Sequence, residues 1–200
     1  MKVVERHHLE RWMCLREAHR ILDSFFGDPT TYPGHDFYSH TRGINKDIPE
    51  EFYPLVLLTD QLPGVRGLRL STASSSGPDG EIRFWSHATL TVQITCAHER
   101  DDHYMIRHEL RDTGRYLGQG RSTDEVIATR LKRIVAAVAD KERNFHSGTH
   151  ALLIQEESLF WSDQLETKLK SQLSEALAAL PPSNYGSTYV AFDKDVVRVR

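Results

Sequence analysis

Apolar residues recur at spacings of three and four over residues 5 to 26, where Leu9, Trp12, Cys14 or Leu15, Ala18, Leu22 and Phe25 stand between charged positions. That period predicts an amphipathic helix, ended by Gly27-Asp28-Pro29. Residues 27 to 51, rich in Pro, Gly, Asp, Thr and His, read as a long irregular loop. Phe52 to Leu58 is a short apolar run that fits a strand or a helix. Leu68–Thr72, Glu81–Trp85 and Thr89–Thr95 read as strands. In the last, Leu90, Val92 and Ile94 share one face and Thr91, Gln93 and Thr95 the other. Residues 96 to 121 are charged and end in glycines, the character of a variable insertion. Ser122 and Glu125 then form a capping-box pattern ahead of an apolar stripe of Ile127, Leu131, Ile134, Val135 and Val138. The run at 150–155 reads as a buried strand. Residues 161–180 form a second helix, stopped by Pro181-Pro182, and two short strands close the chain. A run of strands followed by alternating helix and strand predicts a mixed sheet flanked by helices. The passage from 89 to 155 should be a right-handed crossover joining two parallel strands.

Composition narrows the functional classes. A chain of 200 residues suits one domain with one core. The formal net charge of −3 excludes a strongly basic nucleic-acid binder, so any such contact needs a local patch. Two cysteines, Cys14 and Cys96, make no disulfide framework and point to a reducing, cytoplasmic setting. The start, MKVVERHHLERW, lacks the apolar core of a secretory signal. Apolar runs of five or six residues are too short to span a bilayer.

The stretch SSSGPDGEIRFWSHATLTVQITC, residues 74 to 96, carries the most suggestive chemistry. Pro78-Asp79 precedes one strand, and Gln93-Ile94-Thr95 lies along the next. An ordinary hairpin with a polar face accounts for it, as does the remnant of a metal site. Together with the order helix, strands, helix, strand, these residues resemble the PD-(D/E)xK, or restriction-endonuclease-like, nuclease superfamily. In that superfamily an aspartate, often after proline, lies on one strand, and Glu or Asp, any residue and Lys lie on the next. The resemblance covers element order over most of residues 1 to 192, but only two or three motif residues.

The resemblance implies a restriction-endonuclease-like α/β fold and metal-dependent hydrolysis of DNA, in defence or mobile-element biology, with Mg or Mn as cofactor. A divalent cation would polarise the phosphate and activate a water. Asp79 would ligate it, joined by the main-chain carbonyl of Ile94, with Gln93 completing or orienting the site. Gln93 and Thr95 are departures: the first brings no negative charge and the second cannot act as the lysine. Lys132, on the helix after the strand, is a candidate replacement cation, and Glu17 or Glu81 a replacement acid. The same departures favour an alternative, a catalytically degenerate module of this fold that binds protein or nucleic acid. An unrelated α/β binding protein with a plain hairpin at 74–95 remains a third reading.

Other chemistry is sparse. His98, His103 and His108 recur every five residues, which on a helix turns each by about 140° from the last, so the three share no face. The chain has no HExxH, no paired CxxC and no GxSxG. Leu117-Gly118-Gln119-Gly120 precedes a capped helix but lacks a P-loop lysine. Arg111, Arg115, Arg121, Arg130, Lys132 and Arg133 gather around that helix entrance. Of these, Arg121, Arg130 and Arg133 are the candidate nucleic-acid contacts.

Overall fold

The computed structural model describes residues 4–27, 44–72, 77–97, 122–156, 163–192 and 195–200. Its helices are α1 (Arg6–Leu9), α2 (Leu15–Phe26), α3 (Ile44–Asp47), α4 (Tyr53–Gln61), α5 (Thr123–Arg143) and α6 (Asp163–Ala178), with a π-helical turn at Ile48–Phe52. The strands are β1 (Val65–Leu70), β2 (Gly80–Phe84), β3 (Thr89–Cys96), β4 (Ala151–Gln155), β5 (Ser187–Ala191) and β6 (Val196–Arg198). They form one six-stranded mixed sheet in sequence order. β1–β2, β2–β3 and β5–β6 pair antiparallel, and β3–β4 and β4–β5 pair parallel. Residues 89–95 and 151–155 are therefore adjacent parallel strands joined through α5, as the crossover pattern predicts.

Two cores hold the layers together. On one face, α2, the π-helical turn and α4 bury Leu22, Phe25, Phe52, Leu55 and Leu58 against Leu68, Leu70, Ile82, Val92, Ile94 and Leu153. On the other, α5 and α6 bury Ile127, Ile134, Val138, Leu169 and Leu173 against Leu152, Ile154 and Val190. β1 and β2 contribute no residue to this second core. Over β1, β2 and the start of β3 that face of the sheet therefore carries polar side chains instead.

The stretch expected to be one helix over 5–26 is broken. Met13 leaves the helical path and bridges antiparallel to Leu68, its N–H donating to the Leu68 carbonyl at 3.1 Å and its carbonyl accepting at 2.9 Å. Gly67 permits this approach, because a Cβ there would stand 2.7 Å from the Met13 carbonyl oxygen. Two main-chain hydrogen bonds at a sheet edge outweigh helical periodicity over five residues. The ambiguous run at 52–58 is helical, and residues 44–51, read as loop, form α3 and most of the π-helical turn. The capping box at the start of α5 is present: the Ser122 side chain accepts from the Glu125 N–H, and the Glu125 carboxylate accepts from the Ser122 N–H at 2.8 Å.

Candidate functional site

β2 begins at Gly80, which faces Val92 on β3. One step further in the same register sets Asp79 opposite Gln93. The Asp79 N–H still donates to the Val92 carbonyl at 2.9 Å. Beyond that point there is no β2 main chain to receive the Ile94 N–H. The Asp79 carboxylate takes its place: Oδ2 accepts from Ile94 N at 2.7 Å and from Gln93 Nε2 at 2.6 Å. Side-chain and main-chain donors thus converge on one carboxylate oxygen at the end of the strand.

This pairing fixes which way the Gln93 amide points. With Nε2 toward Asp79, Oε1 is buried and has no hydrogen-bond partner among the described residues. The reverse orientation would set two oxygens against each other. Thr95, two residues on and so on the same face, lies opposite Ile154.

Two charges and two hydrogen bonds act on Asp79. Its carboxyl is pushed above the ordinary aspartate range, first by burial; the Ile94 N–H, the Lys141 ammonium, the Gln93 amide and Arg6 oppose that rise without cancelling it. Lys141 lies near the C-terminal end of α5. That helix runs back antiparallel to β3, so its last turns return to the level of Asp79. Lys132 sits nine residues earlier, about 13 Å along the helix, and is exposed.

A second acidic group lies on the opposite side. Arg6 Nη1 contacts Glu51 Oε2 at 3.0 Å and Asp47 Oδ1 at 3.1 Å, and Nη2 donates to the Ser71 carbonyl at 3.3 Å. The Ser71 N–H in turn donates to the Asp79 carbonyl at 2.9 Å. The Glu51 carboxyl is raised by burial, opposed by Arg6 and reinforced by the charges of Asp47 and Asp79. Tyr185, whose hydroxyl donates to the Lys141 carbonyl at 3.4 Å, is pushed up to about 12 by burial and by the charges of Glu142 and Asp79.

The other sequence candidates are dispersed. Glu17 is ion-paired with Arg11 on the surface. Glu81 is held by Arg69 Nη2, at 2.9 and 3.1 Å. Arg130 forms an ion pair with Glu156 at 3.1 Å, the two side chains 14% and 2% exposed, so it faces the interior rather than a solvent-borne ligand. Burial lowers its pKa and the Arg133 charge adds to this, while Glu156 opposes both. Arg121, the three histidines and the glycine-rich turn at 117–120 lie outside the described residues.

These residues do not fit a magnesium ion. Such an ion requires several oxygen ligands, usually with one or two carboxylates committed to it. Here one Asp79 oxygen already accepts two N–H donors, and the Glu51 carboxylate is held by Arg6. Among the described residues no group of three or more His, Cys, Asp or Glu is arranged to hold a metal. No described helix is long and apolar enough to cross a membrane.

Comparison with known proteins identifies no relative. No protein-family model matches the chain, no curated protein matches it, and no solved structure matches it.

Lys141 and Glu51 are the residues that sequence reasoning does not find. Lys141 stands in a row of charges closing a helix, and Glu51 in a polar segment, so neither carries a local signal. Only the antiparallel return of α5 and the folding of 44–52 over the sheet bring them toward Asp79.

Proposed function

We propose that this chain is a restriction-endonuclease-like domain that no longer cleaves phosphodiesters and binds DNA without cutting it. The observation that carries the reading is the double hydrogen bond onto Asp79 Oδ2, from Gln93 and Ile94. In the resemblance drawn from the sequence, those groups occupy the positions of a metal-binding acid and of the residue beside it. The amide of Gln93 satisfies Asp79 in the way a cation otherwise would, and Thr95 supplies no charge for the attacking water. The helix–strand order and the parallel β3–β4 pair support the resemblance. DNA as the partner is supported by the polar, arginine-bearing face of β1 and β2, which α5 and α6 leave uncovered.

A metal-dependent nuclease is the second reading. Lys141 and Glu51 favour it, since Lys141 acts electrostatically on Asp79 and Asp79 on Glu51, which sets a cation and an acid in its vicinity. Incubation with supercoiled plasmid in magnesium or manganese separates the two. Retarded migration without nicking is the expected result. Nicking that is lost in Asp79→Ala would establish the second reading instead.

A further inference from the structure

The tip of the β2–β3 hairpin is built to display an aromatic ring. Trp85 is 68% exposed, the one exposed large hydrophobic side chain among the described residues. Its main chain is nonetheless fixed. The Trp85 N–H donates to the Gly64 carbonyl at 2.9 Å, the Phe84 N–H to the Ala88 carbonyl at 2.9 Å, and the His87 N–H to the Phe84 carbonyl at 3.0 Å. His87 closes the turn with φ 66, a left-handed conformation uncommon outside glycine. An indole held in water by an ordered turn gains nothing for folding, since its burial is forgone.

One cation lies over that ring, and others line the same face nearby. Arg66 falls where the β1–β2 register shifts, between the pairs Val65–Phe84 and Gly67–Arg83. A bulge of this kind re-aims a side chain, and the Arg66 guanidinium lies 5.5 Å from the Trp85 ring centroid. On the polar face of β1 and β2, Arg83 and Arg69 lie 3.9 and 4.8 Å from the ring centroid of Trp12. Arg69 is neutralised by Glu81, but neither Arg66 nor Arg83 has a carboxylate within 4 Å among the described residues. The result is an exposed indole with the Arg66 guanidinium over its ring and, two residues earlier on the strand and so on the same face, Arg83 stacked on Trp12, neither arginine paired with an acid among the described residues, on a chain whose total charge is negative.

From this juxtaposition we propose that Trp85, Arg66 and Arg83 form a docking site for single-stranded nucleic acid. A base stacks on Trp85 while the guanidiniums engage the phosphates on either side. Aromatic stacking with arginine support reads any unpaired base and requires that the base be out of a duplex. The site lies about 20 Å along β2 from Asp79 and does not depend on the chemistry there. It shares the β1–β2 arginines with the preceding reading but adds Trp85 and takes an unpaired strand, so absence of duplex plasmid binding would leave it standing.

The test is fluorescence anisotropy with a labelled oligothymidylate of about 20 nucleotides, the matching duplex, and vesicles rich in anionic lipid. The expected result is single-strand binding stronger than duplex binding. Trp85→Ala should weaken it by roughly 5- to 150-fold, and Trp85→Phe by less, because a smaller ring still stacks. Arg66→Ala and Arg83→Ala should each reduce the slope of log affinity against log salt by about 0.7. Unchanged melting temperatures would confirm that these substitutions leave the fold intact. Oligonucleotide binding indifferent to Trp85→Ala would overturn the proposal. So would no oligonucleotide binding at low salt, or Trp85-dependent binding to vesicles alone.

Discussion

Gln93 donates its side-chain N–H to the carboxylate of Asp79 at 2.6 Å, across the point where β2 begins and β3 continues. The pair closes a gap in the sheet, and the Ile94 N–H completes it at 2.7 Å. A carboxylate in this position is first a structural acceptor, and any chemistry assigned to Asp79 has to compete with that role.

Removing the acceptor should therefore destabilise the fold. Asp79→Ala leaves a buried amide and a main-chain N–H unsatisfied, a cost of about 2–4 kcal/mol. Asp79→Asn retains an acceptor oxygen and should cost less than half as much. Urea unfolding midpoints at constant m-value provide the check. Equal stability of Asp79→Ala and the native chain would mean that the carboxylate does not hold the strand end.

Stability should also depend on pH through the same group. Burial raises the Asp79 carboxyl in the folded chain, so between the unfolded value, about 3.9, and the higher folded value the native state binds more protons. In that window stability falls as pH rises. Glu51 is raised in the same sense. Compared with Asp79→Asn, the native chain should gain relative stability as pH is lowered from 7 toward 4, read from unfolding midpoints of the two proteins at each pH. A gap that is flat or runs the other way would contradict the burial of a charged Asp79.

Lys141, not Lys132, should set the charge balance of the site. Lys141→Ala removes an interaction that holds the Asp79 carboxyl down, so its pKa should rise further. Lys132→Ala should leave it unchanged. Carbon-13 NMR titration of the Asp79 carboxyl distinguishes the two variants directly.

The parts of this fold that depend on local rules were legible in the sequence. Alternation of Leu90, Val92 and Ile94 gave β3. The Ser122–Glu125 box with its apolar stripe gave the start and the buried face of α5, Thr123–Arg143. The break at Met13 was not legible, because it depends on Leu68, fifty-five residues away, and on the missing Cβ of Gly67. The proximity of Asp79 and Gln93 was expected from the resemblance, in which both face one metal, and the two side chains do meet. What that proximity does was not readable, since the pattern cannot tell whether the amide faces a metal or bonds the carboxylate. Lys141 was hidden for a related reason: a helix fixes which residues share its faces, but not which of its turns comes to rest beside a given strand.

Calorimetric titration of manganese into the native chain and into Gln93→Glu tests the central claim most directly. With Gln93 in place, Asp79 Oδ2 is already satisfied, and no Asp79-dependent binding should be seen. Gln93→Glu sets a second carboxylate against the first, so the metal-free variant should melt lower than the native chain, and manganese should both bind and restore its stability. Manganese binding by the native chain that disappears in Asp79→Ala would contradict the account and return Asp79 to the role of a metal ligand.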